Sequence, residues 1–238
     1  MNFVIVFLGL IFLIGVIYYL FMSSYSQVFG KFIWHGDRRK KQIALTFDDG
    51  PNNPYTNEIL DILKNEKVKV TFFMVGKCIL RDRETAKKIL NDGHVVGNHS
   101  LSHSFSNYLK SISFKNEITA NQKIIEDTLG VIPALYRSPW LFRQPFLLRT
   151  LKQQNLIPIS GQFCHSLEVS QIDSKKIANH VLKIAKNGSI IIFHDGKEAV
   201  GGNRSETVNA LRIVIPALKK QGYELVTVSE LLDLKAYN

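Results

Sequence analysis

An α/β domain on a parallel sheet or an abbreviated barrel, set behind one N-terminal membrane-spanning helix, is the fold this sequence predicts. Three observations predict it. Short apolar runs rich in β-branched and aromatic residues alternate with stretches of helical spacing. Asp, Glu, Lys and Arg are absent from the first 30 residues of the 238. Polar, chemically capable residues recur just past the apolar runs, where α/β folds carry their sites.

Phe3 to Met22 reads FVIVFLGLIFLIGVIYYLFM, 20 residues without a charge. As a helix it spans about 30 Å, the thickness of a bilayer's hydrocarbon core. A cleaved signal typically has an apolar core of only ~7–15 residues, a basic start and a small-residue cleavage site. Here the chain starts Met1-Asn2 and the run ends in the aromatic belt Tyr18-Tyr19-Leu20-Phe21. The expectation is an uncleaved single-pass anchor over residues 1–22, a basic linker over 23–41 and a folded domain over 42–236. Lys31 and Arg38-Arg39-Lys40-Lys41 lie close enough to the anchor for the positive-inside rule, which would keep the domain cytoplasmic. Their weight falls if the basic run belongs to the domain's edge or lies against anionic headgroups. The linker's 19 residues reach roughly 60 to 70 Å at full extension, so the domain works near a membrane surface.

Seven runs read as buried strands: Ile43 to Phe47, Val68 to Val75, His94 to Gly97, Ala134 to Arg137, Leu156 to Ser160, Ser189 to Phe193 and Tyr223 to Val228. Between them, helical spacing marks Ile59, Ile62 and Leu63; Ile118, Ile124 and Ile125; Ile177, Val181 and Leu182; and Val208, Leu211, Ile215 and Leu218. Asp173 is placed to cap the third of these helices and Gly222 to stop the fourth. A full eight-unit barrel of typical length, about 250 residues, does not fit the remaining chain.

Composition narrows the function classes. With 45% apolar and 21% charged residues the chain is globular, not disordered, and Cys78 and Cys164 alone cannot form a disulfide framework or a Cys-rich zinc module. The net charge of +10 suits an anionic surface, membrane headgroups or wall polymer. No basic stripe interleaved with aromatics suggests nucleic acid. Oligomeric state is not encoded in any visible pattern.

The chemistry gathers at the strand ends. His99 and His103 are four apart, which on a helical turn sets two imidazoles on one face as ligands for one divalent cation. A carboxylate from Asp48 or Asp49 would complete a two-His, one-carboxylate site with open positions, the arrangement of catalytic rather than structural zinc. Adjacent aspartates repel unless a cation or Arg137 lies between them, and Asp49 as ligand with Asp48 as base is a natural division. The plainer reading of Asp48-Asp49-Gly50-Pro51 is a strand-to-turn connection. His194, past another strand, is placed to protonate a leaving group.

TFDDGPN (Thr46 to Asn52), HSLSH (His99 to His103), RSPW (Arg137 to Trp140) and IIFHDG (Ile191 to Gly196) together resemble four of the five ordered motifs of the polysaccharide deacetylase family. These are metal-dependent carbohydrate esterases that include chitin and peptidoglycan deacetylases. The similarity runs in order through residues 42 to 232. It implies a distorted, incomplete (β/α) barrel of about seven units. It further implies Asp48 as catalytic base, Asp49, His99 and His103 as metal ligands, Arg137 as the base's tether and His194 as the general acid. The backbone at Pro139 and Trp140 would bind the oxyanion, with the Trp140 ring against the sugar, and the cation would most naturally be zinc.

One motif departs. Where the family usually has an Asp-Trp pair whose aspartate orients the acid, this chain reads Ser160-Gly-Gln-Phe-Cys-His-Ser-Leu-Glu168. Glu168 or His165 is placed to substitute, or Asp173 if the loop folds back. The expected activity is removal of acetyl groups from N-acetylated amino sugars of a polysaccharide, peptidoglycan or lipid-linked glycan. The expected site is the extracytoplasmic face of the cell membrane. The rivals are an O-acetyl esterase on carbohydrate and a non-catalytic, membrane-tethered glycan-binding protein.

Overall fold

Side chains along a strand alternate between its two faces, and in β1 (Gln42–Asp48) this sorts the interior into two layers. Ile43, Leu45 and Phe47 enter an outer apolar layer beneath the helices, whereas Ala44 faces an inner cluster with Phe73, Val95, Leu135 and Ile190. Thr46 and Asp48 share the parity of Ala44, so β1 carries two buried polar groups toward the inside at its C-terminal end.

The computed structural model describes residues 2–238. The order is α1 (Asn2–Met22), β1, α2 (Tyr55–Asn65), β2 (Thr71–Met74), α3 (Gly76–Arg81), α4 (Arg83–Asn91), β3 (Val95–Asn98), α5 (Phe105–Tyr108), α6 (Ser111–Leu129) and β4 (Leu135–Tyr136). Then follow α7 (Leu147–Gln153), β5 (Ile157–Pro158), β6 (Gln162–Phe163), α8 (Ser174–Ile184), β7 (Ser189–His194), α9 (Ser205–Lys220), β8 (Glu224–Val226) and α10 (Val228–Leu232).

The strands form one sheet ordered β5-β4-β3-β2-β1-β7-β6, every pair parallel, so all strand C-terminal ends open to one rim. β1 is central. β7 pairs with it from Ile43 to Asp48, β2 pairs with its last three residues, and β8 pairs with its first three. The register stacks Phe47 on Phe72 and Phe193, with ring centroids 5.0 and 5.7 Å apart. Burying each such ring contributes roughly 1.5–3 kcal/mol.

The sheet does not close on itself: β5 and β6 are its two edges. Residues from the segment before β1 lie across the gap. Ile33 bridges to Ile159 beyond β5, and His35 bridges to Ser189 of β7. Residues 23–41 are therefore folded against the domain and do not form a free tether. The Arg38–Lys41 run precedes β1 at the strand N-terminal ends, where the Arg38 guanidinium donates to the Asn187 carbonyl at 2.7 Å. It belongs to the domain's edge, at the end opposite the rim. Of the two readings of the run, the domain edge is the one its contact with Asn187 supports.

All seven expected strands are present, most of them shorter than their apolar runs. The eighth, β6, follows Gly161 and has no apolar run of its own to mark it. Asp173 caps α8 by accepting from the Lys175 and Lys176 N–H groups, and Gly222 follows α9 with φ +81°. The helices α3, α5, α7 and α10, four to seven residues each, fall below the length at which helical spacing can be read.

Gly97 in β3 is required by close packing. A Cβ there would sit 2.5 Å from the Phe73 ring and 3.3 Å from the Leu135 carbonyl oxygen. Gly97→Ala should cost about 1–3 kcal/mol of stability by overpacking, read as a lower midpoint in urea with an unchanged slope.

Candidate active site

The rim at the strand C-terminal ends collects the residues expected to carry the chemistry. Asp48 closes β1, Asp49 follows it, His99 and His103 follow β3, Arg137 follows β4, and His194 closes β7. Asp48, Asp49, His99, His103, Trp140 and His194 line one cavity of about 290 Å³.

Asp49 has φ 77°, a turn that redirects its side chain from the path of β1. Its Oδ1 lies 3.3 Å from His99 Nε2 and 3.1 Å from His103 Nε2. Ligands about 2.0–2.1 Å from a tetrahedral ion are roughly 3.3 Å apart, so these three atoms are spaced to share one cation. The same Oδ1 is buried and accepts no hydrogen bond among the described residues, as a metal ligand kept free would be. Its partner oxygen Oδ2 accepts from the Glu198 N–H at 3.0 Å. His99 Nδ1 lies 2.8 Å from the Arg137 carbonyl oxygen, which requires the proton on Nδ1 and leaves Nε2 as the ligating nitrogen. Burial would push the Asp49 carboxyl up, but His103 and then His99 hold it well below the usual carboxylate range.

The two histidines do not ride on a helical turn as their spacing suggests. They lie on a loop in which Ser100 (φ 71°) and His103 (φ 51°) adopt left-handed backbone. Buried groups pay for that geometry: Asn98 Oδ1 accepts from the Ser100 N–H at 2.9 Å, and Glu117 accepts from the Ser102 N–H and hydroxyl at 2.8 and 2.7 Å. The four-residue spacing is thus met by a loop pinned from α6.

Arg137 lies inside the barrel with its guanidinium 4.1 Å from the Phe73 ring centroid. Its Nη1 donates to Asp48 Oδ1 and to Thr46 Oγ1, both at 2.7 Å, and Nη2 donates to the Ser160 carbonyl at 3.2 Å. Burial alone lowers the guanidinium's proton affinity and Asp48 works against it. An arginine so placed keeps its charge and holds the Asp48 side chain in one orientation.

The third cluster lies where the sequence departs from the family motif. Glu168, on a short 3₁₀ turn, places Oε2 2.8 Å from His194 Nδ1. Its Oε1 accepts from the Thr207 hydroxyl at 2.5 Å. Burial pulls His194 toward neutrality, but the Glu168 carboxylate, with Asp49 and Asp48 farther off, pushes it up to about 9. Glu168 is itself lowered, since His194 and Thr207 outweigh its burial. His165 lines the cavity without reaching His194, and Asp173 stays a helix cap. Fewer signals marked Asp195: it accepts from the Thr56 hydroxyl at 2.6 Å beneath the Asp48–Asn52 turn, and burial raises it to about 7.

Pro139 and Trp140 form a tight turn in which Trp140 (φ 53°) and Leu141 (φ 56°) are left-handed. The Leu141 and Phe142 N–H groups close that turn, and proline has none, so the Trp140 N–H is left over from it. The Trp140 ring packs edge-on against His103 at 4.3 Å and donates through Nε1 to Glu198 at 3.3 Å. The loop from Lys197 to Arg204 is therefore latched onto the site at Asp49 and at Trp140. Tyr108 and Phe114 are buried in the core, while Phe105 and Ile112 are exposed.

A family profile described as polysaccharide deacetylase matches residues 35–156. A peptidoglycan-N-acetylglucosamine deacetylase of Bacillus cereus is 36% identical over 207 residues, covering 87% of this chain and 95% of that protein. The crystal structure of the Bc1960 peptidoglycan N-acetylglucosamine deacetylase superposes with a TM-score of 0.81 at 30% identity, over 87% of this chain and 95% of that one. BA3943 from Bacillus anthracis, described as a pseudoenzyme of the CE4 family, superposes with a TM-score of 0.77 at 25% identity, over 85% and 69%. The fold is thus shared by members with and without activity, and the sheet order, the rim of strand ends and the extent of the match agree. This chain belongs to the polysaccharide deacetylase family.

Proposed function

We propose that the protein is a membrane-anchored, zinc-dependent hydrolase that removes the acetyl group from an N-acetylated amino sugar of a wall-type glycan. The observation that carries this reading is one cavity lined by three spaced ligand atoms, an arginine-held carboxylate and a carboxylate-held imidazole. Residues 1–22 serve as the anchor and 42–236 as the catalytic domain, with 23–41 packed between them. The relative from Bacillus cereus, named for N-acetylglucosamine in peptidoglycan, supports the substrate class.

Asp49, His99 and His103 hold the cation, and two nitrogens with one carboxylate oxygen suit zinc. A zinc ion there supplies a Lewis acid and a water of lowered pKa. Asp48 takes the proton from the attacking water, and Arg137 keeps that carboxylate aimed. The Trp140 N–H is the turn's donor for the developing oxyanion. His194 hands its proton to the amine as the C–N bond breaks, and Glu168 positions the ring and keeps it protonated for that step. The amine needs that proton more than an alkoxide would, so a held and protonated His194 favours N-acetyl over O-acetyl substrates. A charged, oriented acid likewise favours an enzyme over a glycan-binding relic.

Asp48→Asn should lower acetate release from N-acetylated chitooligosaccharides by roughly 10²–10⁴ while zinc content by metal analysis stays unchanged. His103→Ala should instead lose the zinc, and in the wild type a chelator should abolish acetate release until zinc is restored.

The His194–Glu168 pair makes a signed pH prediction for the metal-free protein. His194 rises from its ordinary 6.5 to about 9 on folding, so its contribution to stability is complete below 6.5 and lost as pH climbs through 9. Glu168 is lowered from 4.5, so its contribution is present above 4.5 and lost in acid. The stability difference between wild type and Glu168→Gln should therefore peak between about pH 4.5 and 6.5 in denaturant titrations and shrink by pH 10. NMR titration should show the His194 pKa falling in the variant; a constant difference and an unmoved pKa would remove Glu168 from this role.

A further inference from the structure

The spanning helix leaves the domain from its catalytic rim. α1 ends at Met22, and the chain enters the domain at once, with Ser23, Ser24 and Ser26 buried. The Arg143 N–H donates to the Phe21 carbonyl at 2.8 Å, and its guanidinium reaches the carbonyls of Ser23 and Ser24. The Ser160 hydroxyl donates to the Ser24 carbonyl at 2.9 Å, and the Phe21 ring stacks on Phe142 at 6.0 Å. Phe142, Arg143 and Ser160 all follow the C-terminal ends of β4 and β5. Tyr18 and Met22, the last turn of α1, line the same cavity as Asp48, Asp49, His99, His103 and His194.

Phe3–Met22 is long enough to cross the hydrocarbon core only if nearly all of it is inside, which sets Tyr18 to Met22 at the bilayer interface. The mouth of the cavity then lies at headgroup level. The rim agrees. Phe105, Leu109, Ile112, Phe146, Leu167 and Val200 are exposed, and each sits on a loop, a short helix or, for Ile112, the first turn of α6, in a segment that follows a strand C-terminal end. Exposed apolar groups concentrated around a site mark a surface that meets something apolar. The basic Arg38–Lys41 run is at the opposite end of β1, about 20 Å away along the strand.

We propose that the catalytic face lies on the bilayer and that the substrate is a lipid-linked glycan, whose N-acetylated sugar enters the cavity while its lipid stays in the membrane. The cavity of about 290 Å³ is at the small end for ligand sites and suits one sugar better than a run of polymer. This rests on the anchored-deacetylase reading above and names its substrate.

The test uses the full chain with zinc in liposomes. Acetate release is compared for one N-acetylglucosamine oligosaccharide presented free in water and linked through phosphate to a polyprenyl chain. At equal bulk concentration the lipid-linked form should turn over at least tenfold faster. Leu109→Glu with Ile112→Glu should remove that advantage and leave turnover of the free form unchanged. Independently of activity, a fluorophore on Ile112→Cys should be quenched by lipids with shallow nitroxides, and one on Lys40→Cys should not; Cys78 and Cys164 are buried and stay unlabelled. Equal turnover of both substrates, or faster turnover of the free glycan, overturns the substrate assignment. Equal quenching at both positions overturns the orientation. No acetate from either substrate, with quenching confined to position 112, overturns the deacetylase reading and the substrate with it but upholds the orientation.

Discussion

A single buried guanidinium ties the site together. Arg137 places its side chain on Asp48 and Thr46, takes the Asn98 carbonyl with its backbone N–H, and offers its own carbonyl to His99 Nδ1. Base, ligand tautomer and the junction of β3 with β4 therefore depend on one residue. Withdrawing such an ion from water costs several kcal/mol, and removing one partner of a buried pair costs about 3–5 kcal/mol. The barrel offsets that cost with three hydrogen bonds to the guanidinium and the face of Phe73.

The second charged pair answers a different demand. In the proposed mechanism the imidazole of His194 arrives protonated and leaves neutral, so its partner has to be an anion that burial has not neutralised. Glu168 meets that requirement because Thr207 and His194 satisfy both its oxygens. It reaches the histidine from the loop between β6 and α8.

Parallel strands put every strand C-terminal end on one rim, and the N-terminal segment is packed into that rim. Residues 32–35 bridge the open sheet edges, and residues 21–26 are bonded into the rim. The last turn of α1 and the domain are thus one packed body, and under the proposed anchoring that turn, not the reach of a flexible linker, sets the distance between bilayer and site.

Local pattern alone determined seven of the eight strands, four amphipathic helices, the apolar N-terminal helix and the place of Asp48, Asp49, His99, His103, Arg137 and His194 at strand ends, while their expected roles came from the motif resemblance. Strand alternation, helical spacing and strand-end chemistry are properties of neighbouring residues. Tertiary structure decided the rest. That His99 and His103 meet across a strained loop depends on Glu117 and Asn98, which lie outside the motif. Which of Glu168, His165 and Asp173 meets His194 depended on how the β6–α8 loop packs against β7, and β6 has no apolar run to mark it. Whether residues 23–41 dangle or dock turned on partners as distant as Arg143, Ser160 and Ser189, and contacts between residues more than a hundred positions apart leave no periodicity in a chain.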